Sequence, residues 1–176
     1  MKYTYHIPDR LLTNEINVLV IGCGGTGSEF VDGLARLHLV LKALGHPEGL
    51  RITLMDDDTV STANVGRQRF LPGDVGFNKA TVLAERYNLA YGLEITDWPV
   101  RFSAKAHRNK LHDFDLIVTC VDKAKVRLEL IEASRANWHP VLLLDMGNGA
   151  KTAQIVLGHI GGEDNERLPI RLPNVA

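Results

Sequence analysis

A cluster of glycines, Gly-Cys-Gly-Gly-Thr-Gly, directly follows an apolar run of strand length at Ile16–Ile21. Glycine lets the backbone turn tightly from a strand into a helix. It also lets a phosphate approach the backbone N–H groups at the start of that helix, where the helix dipole favours negative charge. The pattern therefore predicts a nucleotide-binding loop, although dinucleotide-dependent oxidoreductases share it. The glycines concerned are Gly22, Gly24, Gly25 and Gly27.

An acidic residue, Asp56, directly follows the second apolar run at residues 51–55. In nucleotide-binding folds an acidic side chain here accepts hydrogen bonds from ribose hydroxyls, usually about 20 residues after the glycine loop. The separation is larger in this chain because residues 38–50 extend the intervening helix and loop. The alternative is a solvated acidic loop of Asp56, Asp57 and Asp58, whose carboxylates repel one another unless cations or donors compensate. A nucleotide–magnesium site with Arg67 nearby would supply that compensation.

Two basic residues, Arg67 and Lys79, suit a polyphosphate. Arginine offers a planar fork of donors and lysine a point charge, and transfer at phosphorus needs both charge neutralisation and positioning. Lys79 falls in the first turn of a helix predicted at residues 78–90, where a cation opposes the helix dipole. That placement is tolerable if the ammonium binds phosphate; the alternative is an exposed lysine with no role.

Asp122 follows the fourth apolar run, at residues 116–120. A carboxylate there suits magnesium, a hard cation that takes one or two carboxylates together with phosphate oxygens. Asp122 also suits the N-cap of the helix that follows, and the two roles do not exclude each other. The two cysteines, Cys23 and Cys120, are interpreted as small packing residues rather than nucleophiles.

Apolar runs rich in Val, Ile and Leu, with little alternation, predict strands covered on both faces. The runs lie at residues 16–21, 51–55, 93–96, 116–120, 141–145 and 153–157, and helical patterns lie at residues 26–44, 78–90 and 124–137. This alternation predicts an α/β fold, a Rossmann-like, doubly wound and mostly parallel sheet flanked by helices. The long loop at residues 57–75 has a length that is usually functional, and we expect it to meet the glycine loop at the carboxyl edge of the sheet.

The chain has 176 residues, of which 45% are hydrophobic and 23% charged, and its formal net charge is −1. This composition predicts a globular protein with no overall attraction to nucleic acid or to an anionic membrane. No apolar run reaches transmembrane length and the first residues lack the apolar core of a signal peptide, so we expect a cytoplasmic protein. Residues 1–157 are expected to form a nucleotide-binding domain, and residues 158–176 an extended tail or the start of a further segment.

The order and spacing of these residues resemble the ThiF/MoeB and ubiquitin-activating enzyme superfamily over residues 17–127. The resemblance rests on the glycine motif, Asp56, Asp58, Asn64, Arg67, Gln68, Lys79 and Asp122. Within the superfamily the chain is most similar to the ThiF-family member of the PRTRC gene systems, a plasmid-associated group.

This resemblance implies an adenylating enzyme that uses ATP and Mg²⁺ and acts as a homodimer. The C-terminal carboxylate of a small ubiquitin-like or sulfur-carrier protein would attack the α-phosphorus, giving an acyl-adenylate and pyrophosphate. ATP would lie over the glycine loop. The resemblance places Asp56 on the ribose, Arg67 and Lys79 on the phosphates, Asp122 on the metal, and Asp58, Asn64 and Gln68 in the same pocket.

The chain also departs from this family. It has no Cys-x-x-Cys pairs, so no zinc site is expected, and no conjugating cysteine follows the adenylation motifs. The family often brings an N-terminal arginine across a dimer interface, and the context of Arg10 matches that pattern poorly. Two other functions stay open: a nicotinamide-dependent oxidoreductase, which would not explain Arg67 or Lys79, and a non-catalytic binding module of the same fold.

Overall fold

The computed structural model describes residues 7–135, 141–148 and 152–161, with the backbone alone at residue 148. Its strands are β1 (Ile16–Ile21), β2 (Leu50–Met55), β3 (Thr96–Trp98), β4 (Leu116–Thr119), β5 (Val141–Asn148) and β6 (Ala153–Ile160). They form one sheet in the order β3-β2-β1-β4-β5-β6. The first five strands are parallel and β6 runs antiparallel to β5. This order is that of dinucleotide-binding sheets, and it confirms the predicted doubly wound α/β fold.

Helices cover both faces of the sheet. The α-helices are α1 (Arg10–Thr13), α2 (Gly25–Ala43), α3 (Lys79–Tyr91), α4 (Ala104–His107) and α5 (Ala124–Ser134), and short 3-10 helices occupy Thr62–Asn64, Pro72–Asp74 and Arg108–Asp113. Val18 and Val20 of β1 pack into a core shared with α2 and α3, whereas Leu19 and Ile21 pack into a second core shared with α5. Burial on both faces explains why the strand is continuously apolar from Val18 to Ile21.

The third strand lies further along the chain than the sequence predicts. A strand at residues 93–96 is wrong, because the Asn88 side chain occupies both backbone groups of Ile95: it donates to the carbonyl (3.0 Å) and accepts from the N–H (2.7 Å). Ile95 is therefore tied to the end of α3, and pairing with β2 begins at Thr96.

The other predicted elements are confirmed within a few residues at their ends. The sixth strand continues to Ile160, so residues 158–160 belong to the sheet rather than to a tail. Residues 162–176 of the predicted tail, and the last two residues of the helix predicted at 124–137, lie outside the described residues. Among the described helices, none has the length and apolar character needed to cross a bilayer.

Candidate nucleotide-binding site

The glycine loop joins β1 to α2, and close contacts require two of its glycines. The Gly22 N–H donates to the Met55 carbonyl at the end of β2 (2.9 Å), and Gly22 has a φ of +97°. A Cβ on Gly27 would lie 1.9 Å from the Gly22 carbonyl oxygen. The loop therefore folds tightly over the strand end, in a conformation that side chains would prevent.

Gly24 and Gly25 serve a different purpose, because they face open space. A Cβ on either residue would meet nothing within 4 Å. Gly24 is the N-cap of α2 and no side chain caps that helix. The amino end of a 19-residue helix thus opens onto a cleft that Gly24, Gly25 and Thr26 help to line. Such a helix end favours an anion.

The cleft has a volume of about 680 Å³ and follows the carboxyl edge of the sheet, where β1 to β4 end. Every site residue predicted from the sequence lines it except Gly27, which lies against the underside of the glycine loop. The predicted residues that line it are Gly22, Gly24, Gly25, Asp56, Asp58, Asn64, Arg67, Gln68, Lys79 and Asp122.

Asp56 is held in one orientation at the end of β2. Its carboxylate accepts hydrogen bonds from the backbone N–H groups of Cys23 (2.5 Å) and Asp58 (2.8 Å). Burial raises the pKa of Asp56, and the two backbone donors and Lys79 oppose that rise. The glycine loop and the ribose-binding candidate are therefore one connected structure.

The other two acidic residues of this loop are compensated by cations. Asp57 forms an ion pair with Arg101 (2.9 Å) and Asp58 with Lys79 (3.0 Å). The three carboxylates are the one group of this kind, within the described ranges, close enough to hold a metal ion. Donors or cations therefore engage all three carboxylates, while the side chains of Asp57 and Asp58 stay 39% and 62% exposed to solvent.

Lys79 begins α3, and its side chain is 9% exposed. The alternative of an exposed lysine is therefore wrong. Asn78, the N-cap of α3, accepts from the Ala80 N–H (2.9 Å) and donates to the carbonyls of Asp56 (2.9 Å) and Asp58 (3.2 Å). One carboxamide thus fixes the acidic loop against the helix that carries Lys79.

Arg67 lines the cleft from the long loop and is exposed. The sequence suggested that Arg67 compensates the acidic loop, but it forms no ion pair there within the described residues. Its Nε donates instead to the Ala63 carbonyl (2.9 Å). Asn64 is buried and accepts from the Ser61 N–H (2.9 Å), and the Gln68 N–H donates to the Asn64 carbonyl (3.1 Å). The backbone around Arg67 is therefore ordered while its guanidinium reaches the cleft.

Asp122 is exposed at the cleft and makes no hydrogen bond or ion pair with any residue that the structure describes. It does not cap α5: the N-cap is Lys123, without a side-chain hydrogen bond. The capping alternative is therefore wrong. A carboxylate without a described partner at the edge of this cleft fits the donor set that magnesium prefers.

Both cysteines have the character of packing residues. Burial raises the pKa of the Cys23 thiol well above its usual range, and it raises that of Cys120 to about 12. Because the thiolate is the reactive form, neither group is an activated nucleophile.

Sequence reasoning missed Arg101, which follows β3, and a buried network below the cleft. Asp145 of β5 accepts from the Thr119 hydroxyl at the end of β4 and from the Arg127 Nε of α5 (2.7 Å). No local pattern marks these residues, because their partners come from other strands. Asn78 could have been found, since an Asn before an apolar helical pattern is a capping signal.

Arg10 lies away from this site. It forms an ion pair with Asp115, whose carboxylate also accepts from the Asn17 N–H (2.8 Å). Asp115 precedes β4, so this pair sits at the amino ends of the strands, opposite the glycine loop. Arg10 therefore does not line the cleft of its own chain.

The fold is that of an α/β protein with a cleft at the carboxyl edge of its parallel strands, and comparison with known families is more specific. The model of the ThiF family matches residues 9–145, and the chain belongs to that family. The chain is 31% identical over 139 residues to the adenylyltransferase and sulfurtransferase UBA4 of Yarrowia lipolytica, covering 78% of this chain and 33% of that protein. It is 32% identical over 119 residues to the NEDD8-activating enzyme E1 catalytic subunit of Dictyostelium discoideum, covering 66% and 24%.

A third relative has a different substrate in its name. The chain is 26% identical over 151 residues to the tRNA threonylcarbamoyladenosine dehydratase of Haemophilus influenzae, covering 84% of this chain and 54% of that protein. The chain therefore spans between about a quarter and about half the length of these three relatives.

Proposed function

We propose that the chain binds ATP and adenylates the C-terminal carboxylate of a small ubiquitin-like or sulfur-carrier protein, with release of pyrophosphate. The observation that carries the proposal is the convergence of an uncapped helix end at Gly24 with Arg67 and Lys79 on one cleft. A dinucleotide needs the first feature but not two further cations. Membership of the ThiF family, and the adenylyltransferases among the relatives, support the same reaction.

In the proposed reaction a carboxylate oxygen of the carrier attacks the α-phosphorus of ATP. The bond from that phosphorus to the oxygen bridging to the β-phosphate breaks, and the electron pair leaves on pyrophosphate. Both reactants are anions, so the protein must screen charge and align the two groups. Arg67 and Lys79 supply positive charge, and the amino end of α2 supplies backbone N–H donors.

Magnesium fits this site through Asp122, whose carboxylate is free of other described contacts. The ion would neutralise phosphate charge when bound. Asp56 would accept hydrogen bonds from the ribose, because its orientation is already fixed by the Cys23 and Asp58 N–H groups. The homodimer, the cytoplasmic location and the finer similarity to the PRTRC group are parts of the same proposal.

A carboxylate on a modified tRNA nucleoside is the second candidate substrate. It is favoured by one observation, since the alignment with the tRNA threonylcarbamoyladenosine dehydratase covers 84% of this chain, at 26% identity. The adenylation chemistry would be unchanged, and the acceptor would differ.

The test is ATP–pyrophosphate exchange with purified chain and magnesium, with candidate carriers encoded near its gene, with unmodified and modified tRNA, and with neither. Carrier-dependent exchange would support the first proposal, and exchange that needs modified tRNA would replace the carrier by the second. Calorimetry with ATP–magnesium and with NADH is run in parallel. Equal affinity for both ligands, without any exchange, would contradict an adenylating function.

A further inference from the structure

Arg101 and Asp57 form a two-pronged ion pair at the rim of the cleft. The Arg101 Nε donates to both carboxylate oxygens of Asp57 (3.0 and 3.3 Å), and Nη2 lies 2.9 Å from Oδ2. The two residues follow neighbouring strands, β3 and β2. Their side chains are 63% and 39% exposed, and ion pairs this exposed contribute little to folding. Stability alone does not account for a braced guanidinium at this place.

The position of Arg101 relative to a nucleotide follows from the strand order. The glycine loop stands at the end of β1, Asp56 at the end of β2, and Arg101 beyond the end of β3, and these strands are neighbours in that order. The Asp56 N–H donates to the Trp98 carbonyl (3.3 Å), so a hydrogen bond links the residue after β2 directly to the end of β3. A nucleotide with phosphates on the glycine loop and ribose on Asp56 therefore places its base beside β3.

The lining of the cleft beside β3 suits a flat apolar group. Val100 is 44% exposed and Phe102 is buried, and both line the cleft next to Arg101. A guanidinium held in one plane by a carboxylate presents a flat face, and arginine stacks on aromatic rings in this way. Lysine cannot do so, because its ammonium is a point charge.

We propose that Arg101, braced by Asp57, forms the wall on which the nucleotide base stacks, and that this pair selects a purine. The inference rests on the proposed function, because it takes the nucleotide to be ATP. It adds a specificity-determining residue that lies outside the phosphate-binding set and that the sequence motifs do not contain.

The experiment measures, by calorimetry with magnesium, the affinities of the whole chain for ATP, CTP and tripolyphosphate. Arg101→Ala and Arg101→Lys are each expected to lower the affinity for ATP about tenfold, which is the order expected for one desolvated cation–π stacking contact. Both variants should also show a smaller ratio of ATP affinity to CTP affinity. Asp57→Asn is expected to weaken ATP less, because the guanidinium remains but loses its brace. Tripolyphosphate affinity should stay unchanged in all three variants, since it has no base.

Arg51→Ala is the matched control. Arg51 is also an exposed arginine, 62% accessible, in an ion pair with Glu15, but it stands at the start of β2, away from the cleft. The inference is overturned if Arg101→Ala or Arg101→Lys binds ATP with the affinity of the wild type. It is also overturned if Arg101→Ala loses affinity for ATP and for tripolyphosphate by the same factor. If the wild-type chain does not bind ATP, the proposed function and this inference both fail. If the wild-type chain binds ATP and Arg101→Ala binds it equally well, this inference alone fails.

Discussion

Lys79 and Asp58 form an ion pair whose two ends have opposite surroundings. Nζ lies 3.0 Å from Oδ2, yet the lysine side chain is 9% exposed and the aspartate side chain 62%. The ammonium is thus almost buried, it lines the cleft, and its one described ion-pair partner is a solvent-exposed carboxylate on the same cleft. An incoming phosphate could take the place of that carboxylate without moving the lysine.

Asp58→Asn is therefore expected to lower the free energy of unfolding by about 1–3 kcal/mol, because it removes the carboxylate that pairs with a largely buried ammonium. Pyrophosphate or ATP should restore the loss by supplying a new anion. The measurement is the increase in melting temperature on adding ligand, which should be larger in Asp58→Asn than in the wild type. Asp113→Asn, at an exposed site outside the cleft, is the control. If the ligand raises the melting temperature of Asp58→Asn and of Asp113→Asn equally, the phosphate binds away from Lys79.

Arg67→Ala is expected to lower the rate of pyrophosphate exchange about 10²–10³-fold with no loss of stability. Arg67 is exposed, and its described side-chain hydrogen bonds stay within its own loop, to the Ala63 carbonyl and to the Gln68 amide oxygen, so little of the fold depends on it. Arg69→Ala is the control, because Arg69 pairs with Glu29 and lies outside the cleft. Near-normal exchange in Arg67→Ala would remove this residue from the mechanism.

The two kinds of glycine in the loop should respond differently to alanine. Gly27→Ala places a methyl group 1.9 Å from the Gly22 carbonyl oxygen and should cost about 3 kcal/mol or more of stability. Gly25→Ala meets open space at the first residue of α2, so it should fold normally while the methyl group narrows the approach of phosphate. Chemical denaturation and ATP titration of both variants separate these effects. A stable Gly27→Ala chain would contradict the loop geometry.

Asp122→Asn is expected to raise the magnesium concentration needed for half-maximal exchange several-fold, and to change the ATP requirement less. Asparagine keeps the size of the side chain but removes the charge that attracts the ion. Stability should not change, since the carboxylate has no described partner and does not cap α5. A magnesium titration at saturating ATP provides the measurement. An unchanged titration would exclude Asp122 as a ligand.

The native thiols should react slowly at neutral pH. With a pKa of about 12, only roughly one Cys120 thiol in 10⁴ is ionised at pH 8, against about a quarter for an ordinary cysteine. Because the raised pKa suppresses the thiolate until pH approaches that value, alkylation by iodoacetamide should accelerate about tenfold per pH unit from 7 to 9.5 without levelling. Mass spectrometry measures the rate, and the urea-unfolded chain is the control. Rapid modification of the native chain at pH 8 would show an activated cysteine.

Local chemistry determined a large part of this protein. The glycine loop and the apolar strands act through neighbours in sequence, so residue type and spacing were enough to predict the parallel sheet and to collect the cleft residues at its carboxyl edge. The same reasoning placed β3 too early, because it could not show that the Asn88 side chain claims the backbone of Ile95.

Only the tertiary structure decided which charges meet. The sequence predicted that Arg67 is the cation that compensates the acidic loop. In the structure, the cations that pair with this loop are Lys79 and Arg101. Arg101 reaches Asp57 because β2 and β3 are neighbours in register, and Asp145 reaches Thr119 because β5 lies beside β4. Polar contacts between neighbouring strands and their ends depend on strand order and register, which arise from the packing of the whole chain and leave no periodic signal in any one segment.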